Sequence, residues 1–133
     1  MSENNMELAR LWLKKADNDL VTAKQTFLLP DGPTDTVCFH SQQVVEKALK
    51  ALLTLNQIQI PKIHDLVRLL DLALPYLPEL ENFREDFAEM SNYAVAIRYP
   101  DDWFEPGRED TQRSLDVAEQ IIIKIKGLMN RYL

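Results

Sequence analysis

The chain has 133 residues, 46% of them apolar and 27% charged, the length of one ordinary domain with enough apolar side chains for a single packed core. No apolar run reaches the roughly 18 residues a membrane-spanning helix needs, and three glycines argue against a many-turned β protein. The net charge of −6 disfavours broad adhesion to nucleic acid or anionic lipid. That charge is uneven. Residues 79–110 hold ten acids against Arg84, Arg98 and Arg108, a net of −7, so an anionic ligand needs a local site. One cysteine, Cys38, allows no internal disulfide, and its neighbours Val37 and Phe39 suggest a small core residue. The polar, acidic start carries no basic-then-apolar leader pattern, and a cytoplasmic address is the expectation.

Hydrophobic periodicity predicts a helix over 5–28, with Leu8, Trp12, Ala16, Leu20, Ala23 and Phe27 on one face. Leu28-Leu29-Pro30-Asp31-Gly32-Pro33 ends it, and Pro33 suits the first turn of a second helix. That helix, 34–56, carries an apolar stripe of Val37, Val44, Ala48, Ala51 and Leu55, widened by Val45, Leu49 and Leu52. Pro61 makes Ile60 part of a connector. A short third helix covers 64–74, with Leu66, Leu69, Leu70 and Ala73 inside and Asp65 in its first turn. A fourth runs from Pro78 to about Ile97 through Leu80, Phe83, Phe87, Met90 and Ala94. After the break at 98–102, a last helix runs from about Pro106 to Arg131 on Leu115, Ala118, Ile122, Ile125, Met129 and Tyr132. Lys124, Lys126 and Arg131 suit the negative end of its dipole. Long helices with short breaks predict an all-α, up-and-down bundle of four to five helices in one domain, 1–133.

The second helix holds the sharpest chemical signal. His40, Gln43, Lys47 and Lys50 are spaced by three, four and three residues, so they fall in a stripe roughly 80° wide beside the apolar face. The stripe is either a rim where lysine stems cover apolar surface, or a seam where cations meet phosphate. His64 opens the third helix, where it either fixes the helix start or joins a site. Arg98 and Tyr99 precede Pro100 at a helix break, a place where rigid helices can present binding groups; Arg98 could equally neutralise Asp101, Asp102 and Glu105. Two histidines at unsuitable spacing argue against a metal site, and no cofactor motif such as a Gly-rich phosphate loop occurs. Trp12 and Trp103 are too isolated in sequence to read as a base-stacking platform.

These residues also carry a family resemblance. Trp12-Leu13, Ala16, Asp19-Leu20 and Ala23 resemble the opening helix of the HEPN family. The segment from Phe39-His40-Ser41-Gln42-Gln43 through Lys47-Ala48-Leu49-Lys50-Ala51-Leu52 is similar to that family's best-marked stretch. His64-Asp65-Leu66 and Arg98-Tyr99-Pro100 follow in the same order. The resemblance implies a helical bundle akin to the substrate-binding helical half of some nucleotidyltransferases. It also implies a homodimer, encoded beside a small nucleotidyltransferase in a toxin–antitoxin-like pair, with a nucleotide or RNA as ligand.

Ribonuclease members of the family carry an Arg followed four to six residues later by a His. Here no His follows His64, and acid–base cleavage of RNA wants a group titrating near neutrality. The expectation is therefore a non-catalytic binding protein that uses His40, Gln43, Lys47, Lys50, His64, Arg98 and Tyr99. The alternatives are a divergent metal-independent ribonuclease using His40 or His64 with Arg98, and a purely structural adaptor.

Overall fold

The computed structural model describes residues 3–93 and 105–131, and every regular element among them is helical. Helix α1 spans Glu3–Leu28, α2 Thr34–Leu55, α3 Leu66–Ala73, α4 Arg84–Met90 and α5 Arg108–Asn130. Turns of 3₁₀ helix at Pro78–Phe83 and Ser91–Tyr93 flank α4.

Helix α2 is the centre of the bundle. Val37, Val44, Val45, Ala48, Leu49, Ala51, Leu52 and Leu55 are all buried, as the apolar stripe predicts. Helix α1 packs antiparallel to it, and the turn between them needs Gly32: a Cβ there would meet the Thr26 carbonyl oxygen at 2.1 Å. Helix α5 runs antiparallel to α1, tied by Lys24 to Glu119 (2.5 Å) and Lys126 to Asp17 (2.6 Å). It packs beside α2 through Leu115, Ala118, Ile122 and Ile125. Lys124 and Lys126 thus form cross-links, Lys124 to Glu79 at 3.5 Å, instead of serving the helix dipole.

The face of α1 is rotated from the expected one. Ala9, Leu13, Ala16 and Ala23 are buried, whereas Leu8 is 50% exposed. Trp12, Leu20 and Phe27 sit at the edge of the core. Alanines at three of the four buried positions let α1 lie close against α2.

The end of α2 is a feature that the sequence reading did not anticipate. Gln57 takes a left-handed conformation (φ 61°), so the Ile58 N–H donates to the Leu53 carbonyl and the Gln57 N–H to that of Thr54. This closes the helix with a Schellman motif, in which glycine is the usual residue.

Helix α3 starts two residues later than expected. Asp65 is its N-cap, not a first-turn residue, and its carboxylate accepts from the Val67 N–H at 3.0 Å. Ser91 accepts from the Leu66 N–H and donates to the Phe87 carbonyl, fastening α3 to the end of α4.

The expected fourth helix is broken into three pieces up to Tyr93; its continuation to Ile97, with Ala94, lies outside the described residues. The buried positions explain the break. Leu77, Leu80 and Phe83 recur every three residues, as do Met90 and Tyr93. A 3₁₀ turn aligns side chains at that period, whereas an α-helix would rotate them away from the core. Only the step from Phe83 to Phe87 is four residues, and it lies at the start of α4.

Candidate functional site

The stripe on α2 lies along its groove with α1, and each cation in it is held by an acid. Asp19, from the middle of α1, accepts from His40 Nδ1 at 2.8 Å and from Lys47 Nζ at 2.5 Å. Glu46, one turn before Lys50 on α2, accepts from Lys50 Nζ at 3.0 Å and from His64 Nδ1 at 3.0 Å. Gln42 donates to Glu46 (3.3 Å) and to the His64 carbonyl (3.2 Å), and Gln43 donates to Gln42 (2.6 Å). Two clusters result, each with one carboxylate, one lysine and one histidine.

Five of the predicted site residues, His40, Gln43, Lys47, Lys50 and His64, are therefore brought onto one side of the bundle. Arg98 and Tyr99 lie outside the described residues. Lys50 is largely buried: its side chain is 10% exposed. His64 lies before the N-cap of α3, and its ring is 70% exposed.

The electrostatics follow from this pairing. The Glu46 side chain is only 4% exposed, a burial that is unfavourable for an isolated carboxylate and is offset here by three donors. A carboxylate only accepts, so both histidines donate through Nδ1 and present Nε2 as the remaining ring nitrogen. Each lysine has three N–H groups and uses one on its carboxylate, so donors remain for an incoming anion. With neutral imidazoles each cluster carries no net charge; a protonated histidine makes its cluster positive.

Three residues of the site escaped sequence reasoning. Asp19 acts across the helix pair, 21 and 28 residues from its partners, a distance no local pattern spans. Glu46 was legible in principle, because it is in helical register with the buried Leu49 and Leu53, and an acid on an apolar face needs a partner. Trp12, set aside as isolated, has the ammonium groups of Lys50 and Lys15 5.6 and 5.8 Å from its ring centroid.

Cys38 plays no part in these clusters. It is buried against α5, with its sulfur 3.6 Å from Thr111 Oγ1, and burial pushes its thiol above the ordinary value. No group of metal-ligating side chains occurs among the described residues, and no described helix is long and apolar enough to cross a membrane.

Two long helices, α1 and α5, packed on a central α2, with a broken return segment and a paired polar seam, define a small helical bundle of the HEPN type. The family model for the HEPN domain matches residues 9–128, and the chain belongs to that family. A Methanocaldococcus jannaschii protein named "Putative toxin MJ1304" is 30% identical over 94% of this chain and 90% of its own. Among solved structures, TT1696 from Thermus thermophilus is similar at a TM-score of 0.70 and 29% identity, over 90% of this chain and 97% of that one. ST0689, described as an archaeal HEPN homologue, matches at 0.70 and 25% identity, over 91% and 97%.

Proposed function

We propose that this protein is a non-catalytic HEPN-domain component of a toxin–antitoxin-like module, which binds the phosphate of a nucleotide or nucleic acid and works beside a nucleotidyltransferase as a homodimer. The observation that carries the reading is the pair of carboxylate-anchored Lys–His clusters on one side of α2. Anchoring orders the lysines before any ligand arrives, which lowers the entropic cost of binding. Their spare N–H groups suit phosphate oxygens, and each histidine adds an Nε2–H donor when its ring is protonated. Arg98 and Tyr99 join this proposal from the sequence. The name of the Methanocaldococcus jannaschii relative supports the toxin context.

Calorimetric titration with a panel of nucleotides and short RNAs tests the binding. A charge-assisted contact is worth about 1.5–3 kcal/mol, so Lys47→Ala and Arg98→Ala should each weaken binding about tenfold or more. Absence of binding across the panel would refute it. Light scattering checks the dimer: a species of 15.4 kDa at micromolar concentration would exclude it.

One feature favours a second reading, cleavage of RNA. Glu46 stands behind His64 Nδ1 and orients an exposed ring, an arrangement suited to proton transfer. Incubation of the purified protein with RNA separates the two. Cleavage that disappears in His64→Ala would establish the enzyme; intact RNA supports the binding protein.

A further inference from the structure

Trp12 occupies a position that the phosphate clusters leave unexplained. It projects from α1 at the edge of the core, half-buried, where α1 meets the α2 stripe. Lys50 approaches its ring from α2 and is anchored by Glu46. Lys15 approaches it from one turn further along α1, is exposed, and makes no ion pair with any described residue. On the same side of α1, Leu8 and Leu11 are 50% and 54% exposed. An indole, two aliphatic side chains and an unpaired ammonium therefore adjoin the Lys50–Glu46–His64 cluster.

Resting on the nucleotide-binding reading above, we propose that Trp12 is the base-recognising residue of that site. A nucleobase stacks on the indole, and the phosphate is held by Lys15, joined by the Nε2–H of His64 when that ring is protonated. The ligand class is thus a nucleotide or a single-stranded end with an unstacked base, not a bare phosphate or a paired duplex.

The chemistry favours the exchange. In the free protein the ammonium of Lys15 lies within cation–π range of the ring. Base–aromatic stacking is the stronger contact, and nothing else among the described residues pairs with Lys15. A base can displace that ammonium, which then pairs with the phosphate of the same nucleotide. Lys50 stays, because Glu46 holds it. Stacking tolerates any base, since every base has a π face, so the site should discriminate weakly among the four.

The test uses the full chain with Trp103→Phe, which leaves Trp12 as its one tryptophan. Adenosine 5′-monophosphate should quench Trp12 emission saturably. Ribose 5-phosphate, which has the same phosphate and sugar without the base, should bind about tenfold more weakly by calorimetry and leave the emission unchanged. Trp12→Leu in the natural sequence should lose about tenfold in affinity for the nucleotide and nothing for ribose 5-phosphate, and Trp12→Phe should restore most of the loss. If Trp12→Leu proves unfolded by circular dichroism, the quenching titration still decides. Equal affinity for the two probes without quenching would overturn the role of Trp12 and leave the phosphate site standing. No binding of either would overturn both.

Discussion

Glu46→Gln is the most informative single change to the fold. The side chain keeps its shape and loses its charge in a place where only 4% of it is exposed. The glutamine oxygen can retain one of the strong donors but not both, and its amide adds donors among existing ones. Lys50, itself 10% exposed, is left as a buried ammonium without a counter-charge. Removing one partner of a buried pair costs about 3–5 kcal/mol. The retained hydrogen bond and the nearby Trp12 ring put the expected loss at the lower end, about 3 kcal/mol, or about 10 °C in Tm for a chain of this size. Urea unfolding at neutral pH measures it. Adding Lys50→Met to Glu46→Gln removes the orphaned charge and should recover most of the loss, so the double variant should be much more stable than the sum of the single effects implies. His64→Ala should cost far less than Glu46→Gln, because that ring is mostly in solvent. A loss below about 1 kcal/mol for Glu46→Gln, or strict additivity in the double variant, would refute the claim that Glu46 neutralises a buried lysine.

Three further outcomes test other parts of the fold. Replacing Gln57 by glycine relieves a left-handed backbone (φ 61°) and should raise stability by about 0.5–1 kcal/mol; a loss would mean that the Gln57 side chain contributes something the backbone conformation does not reveal. Ala9→Leu should overpack the α1–α2 contact and cost about 1–3 kcal/mol, whereas Leu8→Gln should stay within about 0.5 kcal/mol in chemical unfolding; the reverse order would place the core face of α1 one residue away. The Cys38 thiol is raised on folding by burial, so the folded state holds its proton more tightly than the unfolded chain. Its contribution is fully present below pH 9.0, the unfolded value, and is lost as pH rises through the higher folded value. The stability of the protein should therefore fall more steeply above pH 9.0 than that of Cys38→Ala; parallel curves would show that the thiol is not desolvated.

The sequence by itself determined the long helices and the family. Apolar positions recurring over 22 to 26 residues leave little choice of secondary structure, and α1, α2 and α5 lie within a few residues of their expected ends. The cationic stripe was equally legible, because His40, Gln43, Lys47 and Lys50 share one helix and one helix has one geometry. The broken fourth helix was harder. A three-residue step falls about 60° short of a full turn in an α-helix and closes one in a 3₁₀ helix, so a stretch of only one or two such steps satisfies both readings.

Tertiary structure alone decided the rotation of α1 and the partners of the stripe. Periodicity locates a face only to within about one residue, and the close fit of Ala9, Ala16 and Ala23 against α2 chose it over the face through Leu8. That rotation puts Asp19 over His40 and Lys47, and Trp12 beside Lys50. Coulombic pairing between helices acts through space and leaves no local trace in the chain. The cations could therefore be read from the sequence, while one of the two acids that hold them had to wait for the packing of one helix on another.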